Sequence, residues 1–190
     1  MAPSDEISNA SEPEPPVVLA SERGYDGKHL HIRRDRVRLP TGRDTLREVL
    51  EHPGAVAILP LTTDGRLLLI QQYHHPIGQS LLGIPAGTME PNEDPVDTAR
   101  RELEEETGYT AGRLTQLVRY FTSPGYTSEE MILYRADDCR PMGGSPNLDE
   151  LIRLAAVPLG DLPRLVAPGQ TTIRDAKTLI ALLWFLAHPA

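Results

Sequence analysis

The sequence predicts an α+β sandwich, a sheet covered on both faces by helices, and three observations predict it. Short β-branched and aliphatic runs recur between turn signals from Gly54 onward. The segment from Asp94 to Gly108 carries helix punctuation at both ends. A stretch near the C-terminus, DAKTLIALLWFL, is apolar nearly all round and so belongs against a sheet. At 190 residues and 39% hydrophobic, the chain can bury one sizeable core and carry a small N-terminal layer beside it.

Taken in order, residues 1–16 (MAPSDEISNASEPEPP) are rich in Pro, Ser and Glu with almost no apolar content, which predicts a disordered tail. Residues 17–50 follow as a β extension. Within it HLHIRRDRVRL places Leu30 and Ile32 on one face and Val37 and Leu39 on one face, with a change of phase near Arg34 that predicts a bend or bulge in this strand. Arg33, Arg34, Arg36 and Arg38 make it the most basic segment, and a solvated strand face accounts for them better than an anion site. Pro40-Thr41-Gly42-Arg43 is a turn.

The main domain is expected over 51–190. GAVAILPLT and RLLLIQQY are strands separated by the hairpin-like Thr63-Asp64-Gly65. Ser80 to Pro85 leads into Pro85-Ala86-Gly87, a loop in which backbone oxygen can approach a metal. LTQLVRYF and MILYRA flank the loop Ser123 to Glu130, and IRLAAVPL is a further strand. Two helices close the chain, the last from about Ile173 to Leu186 with Ile173, Leu179, Ile180, Leu183 and Leu186 on its broad apolar side.

The central helix decides which carboxylates converge. Asp94 caps its start, Pro95 suits the first position, Asp97 adds charge to the first turn, and Gly108 suits a left-handed stop. Val96, Ala99 and Leu103 fall at i, i+3 and i+7 and form the packing stripe. Glu102, Glu105 and Glu106 share another face, while Glu104 points elsewhere. Three like charges on one face repel, which a hard divalent cation, Mg²⁺ with Mn²⁺ admissible, would relieve; for a bare EEE run a solvated acidic face is the better reading, and the spacing of the flanking residues decides between them. Arg101, four residues before Glu105, is placed to hold that side chain.

Charge and cysteine content exclude some classes. A net charge of −8 disfavours nucleic acid and anionic membrane as partners, whereas a small anionic substrate is admissible beside a metal. Cys139 is the only cysteine, so no intrachain disulfide forms, and its neighbours Asp137 and Asp138 disfavour a thiolate nucleophile. No apolar run of membrane-spanning length and no signal-peptide pattern is visible, and a cytoplasmic location is the default expectation.

Gly87, five residues, Glu93, seven residues, Arg101-Glu102-Leu103, one residue, Glu105-Glu106, one residue, Gly108 and Tyr109 fit every fixed position of the Nudix box. The chain therefore resembles Nudix hydrolases. LLIQQYHHPIGQSLLGIPAG, SPGYTSEE and DAKTLIALLWFL extend the likeness to the ADP-ribose pyrophosphatase group, over about Gly54 to Leu186. The resemblance implies a Nudix-type α/β/α sandwich with a mixed central sheet and a small N-terminal antiparallel sheet that packs against, or swaps with, a second subunit in a homodimer. It also implies hydrolysis of the pyrophosphate in ADP-ribose or another nucleoside diphosphate sugar, giving nucleoside monophosphate and sugar phosphate. A triphosphate or another nucleoside diphosphate derivative, or a non-catalytic nucleotide sensor, is the alternative.

By the same analogy Glu102, Glu105, Glu106 and the backbone carbonyl of Ala86 ligate the metal, with Arg101 in the catalytic group beside Glu105 and Glu93 fixing the loop before the helix. The general base matches Glu150, with Asp149 its rival and an ordinary acidic loop the bland reading. Glu129, Pro124 and Gln72 are expected to face the substrate, with a second metal or the role of general base the alternatives for Glu129, and Pro124 as a specificity marker. The pattern departs from many relatives at Gln71 and His74, where they carry Arg, and at Leu82 and Gly83, where they carry Trp-Glu. These changes remove guanidinium forks and a stacking indole, so the ADP moiety is expected to be held weakly. His74-His75 fits a half-exposed packing site better than a metal site.

Overall fold

The computed structural model describes residues 13–143, 152–169 and 172–188, which separate into two compact units. The smaller comprises the described residues up to His52 together with Ser123–Ser128. Its strands β1 (Val17–Asp26), β2 (His31–Arg38) and β3 (Asp44–Glu51) form an antiparallel sheet in that order. The register of β2 on β3 runs without a break from His31–Glu51 to Arg38–Asp44. The irregularity expected near Arg34 is instead on β1, where the pairing skips between Val18 and Ala20 and between Arg23 and Tyr25. The phase change in β2 arises because Asp35 and Val37 are buried on one face while Arg34, Arg36 and Arg38 are exposed on the other. Cross-strand carboxylates balance three of the arginines: Arg33 meets Glu51 at 2.7 Å, Arg34 meets Glu22 at 2.5 Å, and Arg38 meets Asp44 at 2.8 Å. The loop Ser123–Ser128 belongs to this unit because Leu50 N–H donates to the Tyr126 carbonyl at 2.8 Å and Ser128 N–H to the Leu50 carbonyl at 3.1 Å.

The larger unit is a mixed eight-stranded sheet. Its strands are β4 (Ala55–Thr62), β5 (Arg66–His74), β6 (Gln79–Gly83), β7 (Ala86–Thr88), β8 (Tyr109–Thr110), β9 (Arg113–Phe121), β10 (Glu130–Pro141) and β11 (Ile152–Pro158). The central order is β11-β5-β4-β10-β8, with β6 on β5, β7 on β4 and β9 on β10. Only β10 and β4 run parallel among these pairings. Strand β4 is apolar without alternation because both of its faces are covered. Ala55, Ala57 and Leu59 join Leu67, Leu69, Met131 and Leu133 under the C-terminal helices α2 (Leu162–Leu165) and α3 (Ala176–Ala187). Val56 and Ile58 face the other way, with Leu68 and Ile132, onto Ala99 and Leu103 of α1 (Pro95–Thr107).

Helix α1 has the expected caps: Asp94 accepts from Val96 N–H at 2.8 Å, and Gly108 closes it with φ of 72°. Helix α3 starts later than expected, at Ala176, because Asp175 caps it by accepting the Thr178 N–H. Ile173 is buried but precedes the helix, and Leu183 is 54% exposed, so the apolar girdle is not buried all round. Among the described residues no helix is long and apolar enough to cross a membrane.

Candidate active site

The acidic face of α1 is organised around one guanidinium. Arg101 grips Glu93 with a fork, Nε to Oε1 at 2.9 Å and Nη2 to Oε2 at 3.1 Å. Its Nη1 donates to Glu102 at 2.7 Å and to Glu105 at 3.2 Å. The expected Arg101–Glu105 tie is thus the longest of these contacts, and the Glu105 side chain is 49% exposed. Glu93 is the two-point partner of Arg101, and its carboxylate also accepts the Glu90 N–H at 3.0 Å. The Arg101 guanidinium and that backbone donor hold the Glu93 carboxyl at about 2, well below its ordinary range, and Glu93 in turn pushes the Arg101 pKa up.

Glu106 leans the other way. It is 6% exposed, and its Oε2 accepts the Ala86 N–H at 2.9 Å, tying the C-terminal turn of α1 to β7. Next to it, Gly87 leaves room for Glu102: a Cβ there would overlap the Glu102 carboxylate. Gly87 and Ala86 pair with Val56 and Ala57 on β4, so the sheet fixes the platform on which the carboxylates rest.

Glu102, Glu105 and Glu106 do not converge into one cluster as expected. Among the described residues no three His, Cys, Asp or Glu side chains are grouped closely enough to hold a metal ion. The physical reason is competition: Arg101 draws Glu102 and Glu105, and the Ala86 amide draws Glu106. The donor set nonetheless suits a hard divalent cation. It is all oxygen: Glu93, Glu102 and Glu105 gather on the Arg101 guanidinium, and Glu106 lies against the Ala86 amide.

The remaining sequence-derived candidates are spread out. Glu129 is half-buried at the start of the β10 hairpin arm and accepts from Thr122 Oγ1 at 2.6 Å. Gln72 is half-buried on β5, paired with Leu81 and Ile152. Pro124 is exposed in the loop of the smaller unit. Glu150 and Asp149 lie outside the described residues. Cys139 is buried, and burial followed by the Asp137 and Asp138 charges pushes its thiol up to about 12.

Two features escaped sequence reasoning. The Tyr120 hydroxyl is buried without a hydrogen-bond partner among the described residues, and burial, then the Asp175 and Glu129 charges, push its pKa to about 12. Thr178 of α3 is fully buried and accepts the Ile84 N–H at 2.9 Å, immediately before the platform. The signal for the second was the D-x-x-T pattern opening the last helix.

Similarity to known proteins agrees with this geometry. The family model described as NUDIX domain matches residues 51–179, and the model described as nucleoside diphosphate sugar hydrolase N-terminal domain matches 17–50. An ADP-ribose pyrophosphatase of Bacillus subtilis (strain 168) is 37% identical over 167 residues, covering 87% of this chain and 89% of its own. A methanol dehydrogenase activator of Bacillus methanolicus is 36% identical over 175 residues, covering 91% and 94%. A crystal structure of an ADP compounds hydrolase superposes with a TM-score of 0.81 at 24% identity, covering 94% of this chain and 96% of that one.

Proposed function

The chain belongs to the NUDIX family, and from that premise we propose that it is a divalent-metal-dependent hydrolase of nucleoside diphosphate sugars, with ADP-ribose the first substrate to test. The observation that carries this reading is the α1 platform: Glu106 seated on the Ala86 amide and Glu102 against Gly87, with Glu105 beside them on Arg101. Mg²⁺ is the proposed cation, with Mn²⁺ admissible. Glu102, Glu105, Glu106 and the Ala86 carbonyl would hold it, and when bound it neutralises phosphate charge and lowers the pKa of a coordinated water.

The chain's own residues do the rest. Arg101 and Glu93 lock the start of α1 to its loop, so that Glu102 and Glu105 present their oxygens at fixed positions. The Ala86–Glu106 bond fixes the distance between helix and sheet. Glu150, outside the described residues, is proposed to take the proton of the attacking water, with Asp149 its rival. The water oxygen then bonds one phosphorus, the P–O bridge breaks, and two phosphate monoesters leave. Glu129, Gln72 and Pro124 are proposed to face the substrate. The exposed Val17, Val18 and Leu46 of the small sheet support a homodimer interface, which sedimentation tests directly. A cytoplasmic location remains the proposal, supported by the single buried cysteine.

The test is a panel of ADP-ribose, other nucleotide sugars, dinucleotides and triphosphates with Mg²⁺ or Mn²⁺, read by phosphate-product analysis. Glu106→Gln keeps an acceptor for the Ala86 amide and is expected to lower turnover at least about 10²-fold, more than the loss of a residue behind a ligand. Unchanged turnover in that variant, or preference for triphosphates in the panel, overturns the assignment.

A further inference from the structure

The backbone between β6 and β7 has to satisfy its polar groups outside a regular ladder, and it is gripped from both faces of the sheet. Ile84, 1% exposed, donates its N–H to Thr178 Oγ1 at 2.9 Å on the α3 face. Pro85 has no N–H, and its carbonyl accepts from Ile58 of β4 at 2.9 Å. Ala86 donates to Glu106 at 2.9 Å on the α1 face.

The grip from α3 exceeds what helix capping needs. Asp175 already caps the helix by accepting the Thr178 N–H at 3.1 Å, and its other oxygen takes Lys177 Nζ at 3.0 Å. The Thr178 hydroxyl proton is committed to the same Asp175 carboxylate, which leaves a lone pair facing the Ile84 amide and fixes the direction of the relay. A Cβ on Gly83 would approach Thr178 Oγ1 at 3.1 Å and Asp175 Oδ2 at 3.2 Å, so glycine at this position lets the pair sit against the strand. Thr178 is fully buried, and water cannot substitute for its hydroxyl without rearrangement.

We propose that Asp175 and Thr178 are positioning residues of the catalytic edge: through the Ile84 amide they set where the Pro85–Ala86 peptide lies, and with it the Ala86 carbonyl and the Glu106 carboxylate. The inference rests on the reading of those two groups as cation ligands. Half of the site's geometry then comes from a helix that contributes none of its carboxylates.

The experiment compares Thr178→Val, Thr178→Ser and Asp175→Asn with the wild type, which is also measured in enough urea to match each variant's stability. Amide hydrogen exchange in the protein without added metal gives the first readout. In Thr178→Val the Ile84 and Ala86 amides are expected to lose at least about tenfold more protection than the β9–β10 ladder. The apparent Mg²⁺ affinity in turnover is expected to fall about 10–100-fold, the range for residues behind metal ligands, with nucleotide KM within about twofold. Thr178→Ser should restore both. Unchanged Ala86 protection in Thr178→Val, or equal defects in Val and Ser, overturns the proposal. Loss of Mg²⁺ dependence in the wild type would defeat the metal reading instead, while amide protection still decides the clamp.

Discussion

Gly87→Ala tests the platform with one methyl group. Gly87 has no positive φ, so alanine fits the backbone and its pairing with Val56 persists. The obstacle is the Glu102 carboxylate, which the new Cβ would overlap. Ordinary contact begins at 3.4 Å, so the carboxylate retreats by more than about 1 Å, and displacement of that size costs on the order of 10²-fold in rate. The stability cost is smaller. It is confined to the Arg101–Glu102 contact of 2.7 Å, worth about 1–2 kcal/mol for a charged hydrogen bond that is largely shielded from water. At about 2–4 °C per kcal/mol for a chain of this size, the Tm drop is about 2–8 °C. Calorimetry and kcat/KM on the best substrate of the panel measure the two effects separately. Turnover within twofold of wild type would refute the claim that the Glu102 position matters, and a Tm drop beyond about 15 °C would show that Gly87 serves the fold instead.

Arg101→Ala removes the fork on Glu93 and two further charged hydrogen bonds; discounted for its 28% exposure, the loss is about 2–4 kcal/mol by urea denaturation, and Arg101→Lys should recover about half because it keeps charge without the fork. The Glu93 carboxyl is lowered to about 2 from 4.5, so the stability it contributes is complete above about pH 4.5 and disappears as the pH falls through about 2. Denaturation midpoints from pH 6 to 2 should therefore converge for wild type and Glu93→Gln at the acid end; a constant gap would contradict the tie to Arg101. Cys139, buried with its thiol raised to about 12, should resist alkylation at pH 8 until the protein unfolds, and stoichiometric labelling of the native protein would disprove that burial. Tyr120→Phe removes a buried hydroxyl without a partner among the described residues and should leave stability equal or raise it by up to about 1 kcal/mol; a loss above that would mean the hydroxyl bonds in solution.

What the sequence carried well was local. Asp94, Pro95 and Gly108 fix the ends of α1 through their own local chemistry, and the apolar run GAVAILPLT announces the strand β4. What it carried poorly depended on a distant partner. The spacing rule on a helix pairs Arg101 with Glu105, but the stronger partner is Glu93, eight residues back on a loop whose course no periodicity records. The phase change near Arg34 is visible in β2, yet the bulges relieving the sheet sit on β1, whose register is a property of the pair. Ile173 looks helical by spacing and is buried, but Asp175 starts α3 after it, because a side-chain cap outcompetes apolar periodicity at a helix end.

The same distinction explains why the acidic motif cannot account for its own site. Helix α1 supplies the charges, but repulsion among Glu102, Glu105 and Glu106 would scatter them if nothing outside the helix held the surface they meet. That surface is residues 84–87, whose amides are claimed by Glu106 on one face and Thr178 on the other, with Ile58 of β4 between them. The order of the constraints follows from burial. Thr178 and Ile58 are fully buried, Glu106 is 6% exposed, and the Glu105 side chain is 49% exposed, so rigidity falls steadily from the sheet towards solvent. A cation arriving from solvent would therefore move Glu105 first and Glu106 least. Perturbations at Thr178 should weaken the hold on a cation with the carboxylates intact, whereas Glu105→Gln removes one proposed ligand and should change both that hold and how quickly the site rearranges around the cation. Stopped-flow Mg²⁺ binding separates the two: a Glu105→Gln variant whose only change is a faster off-rate equal to that of Thr178→Val would show that the gradient does not order the site.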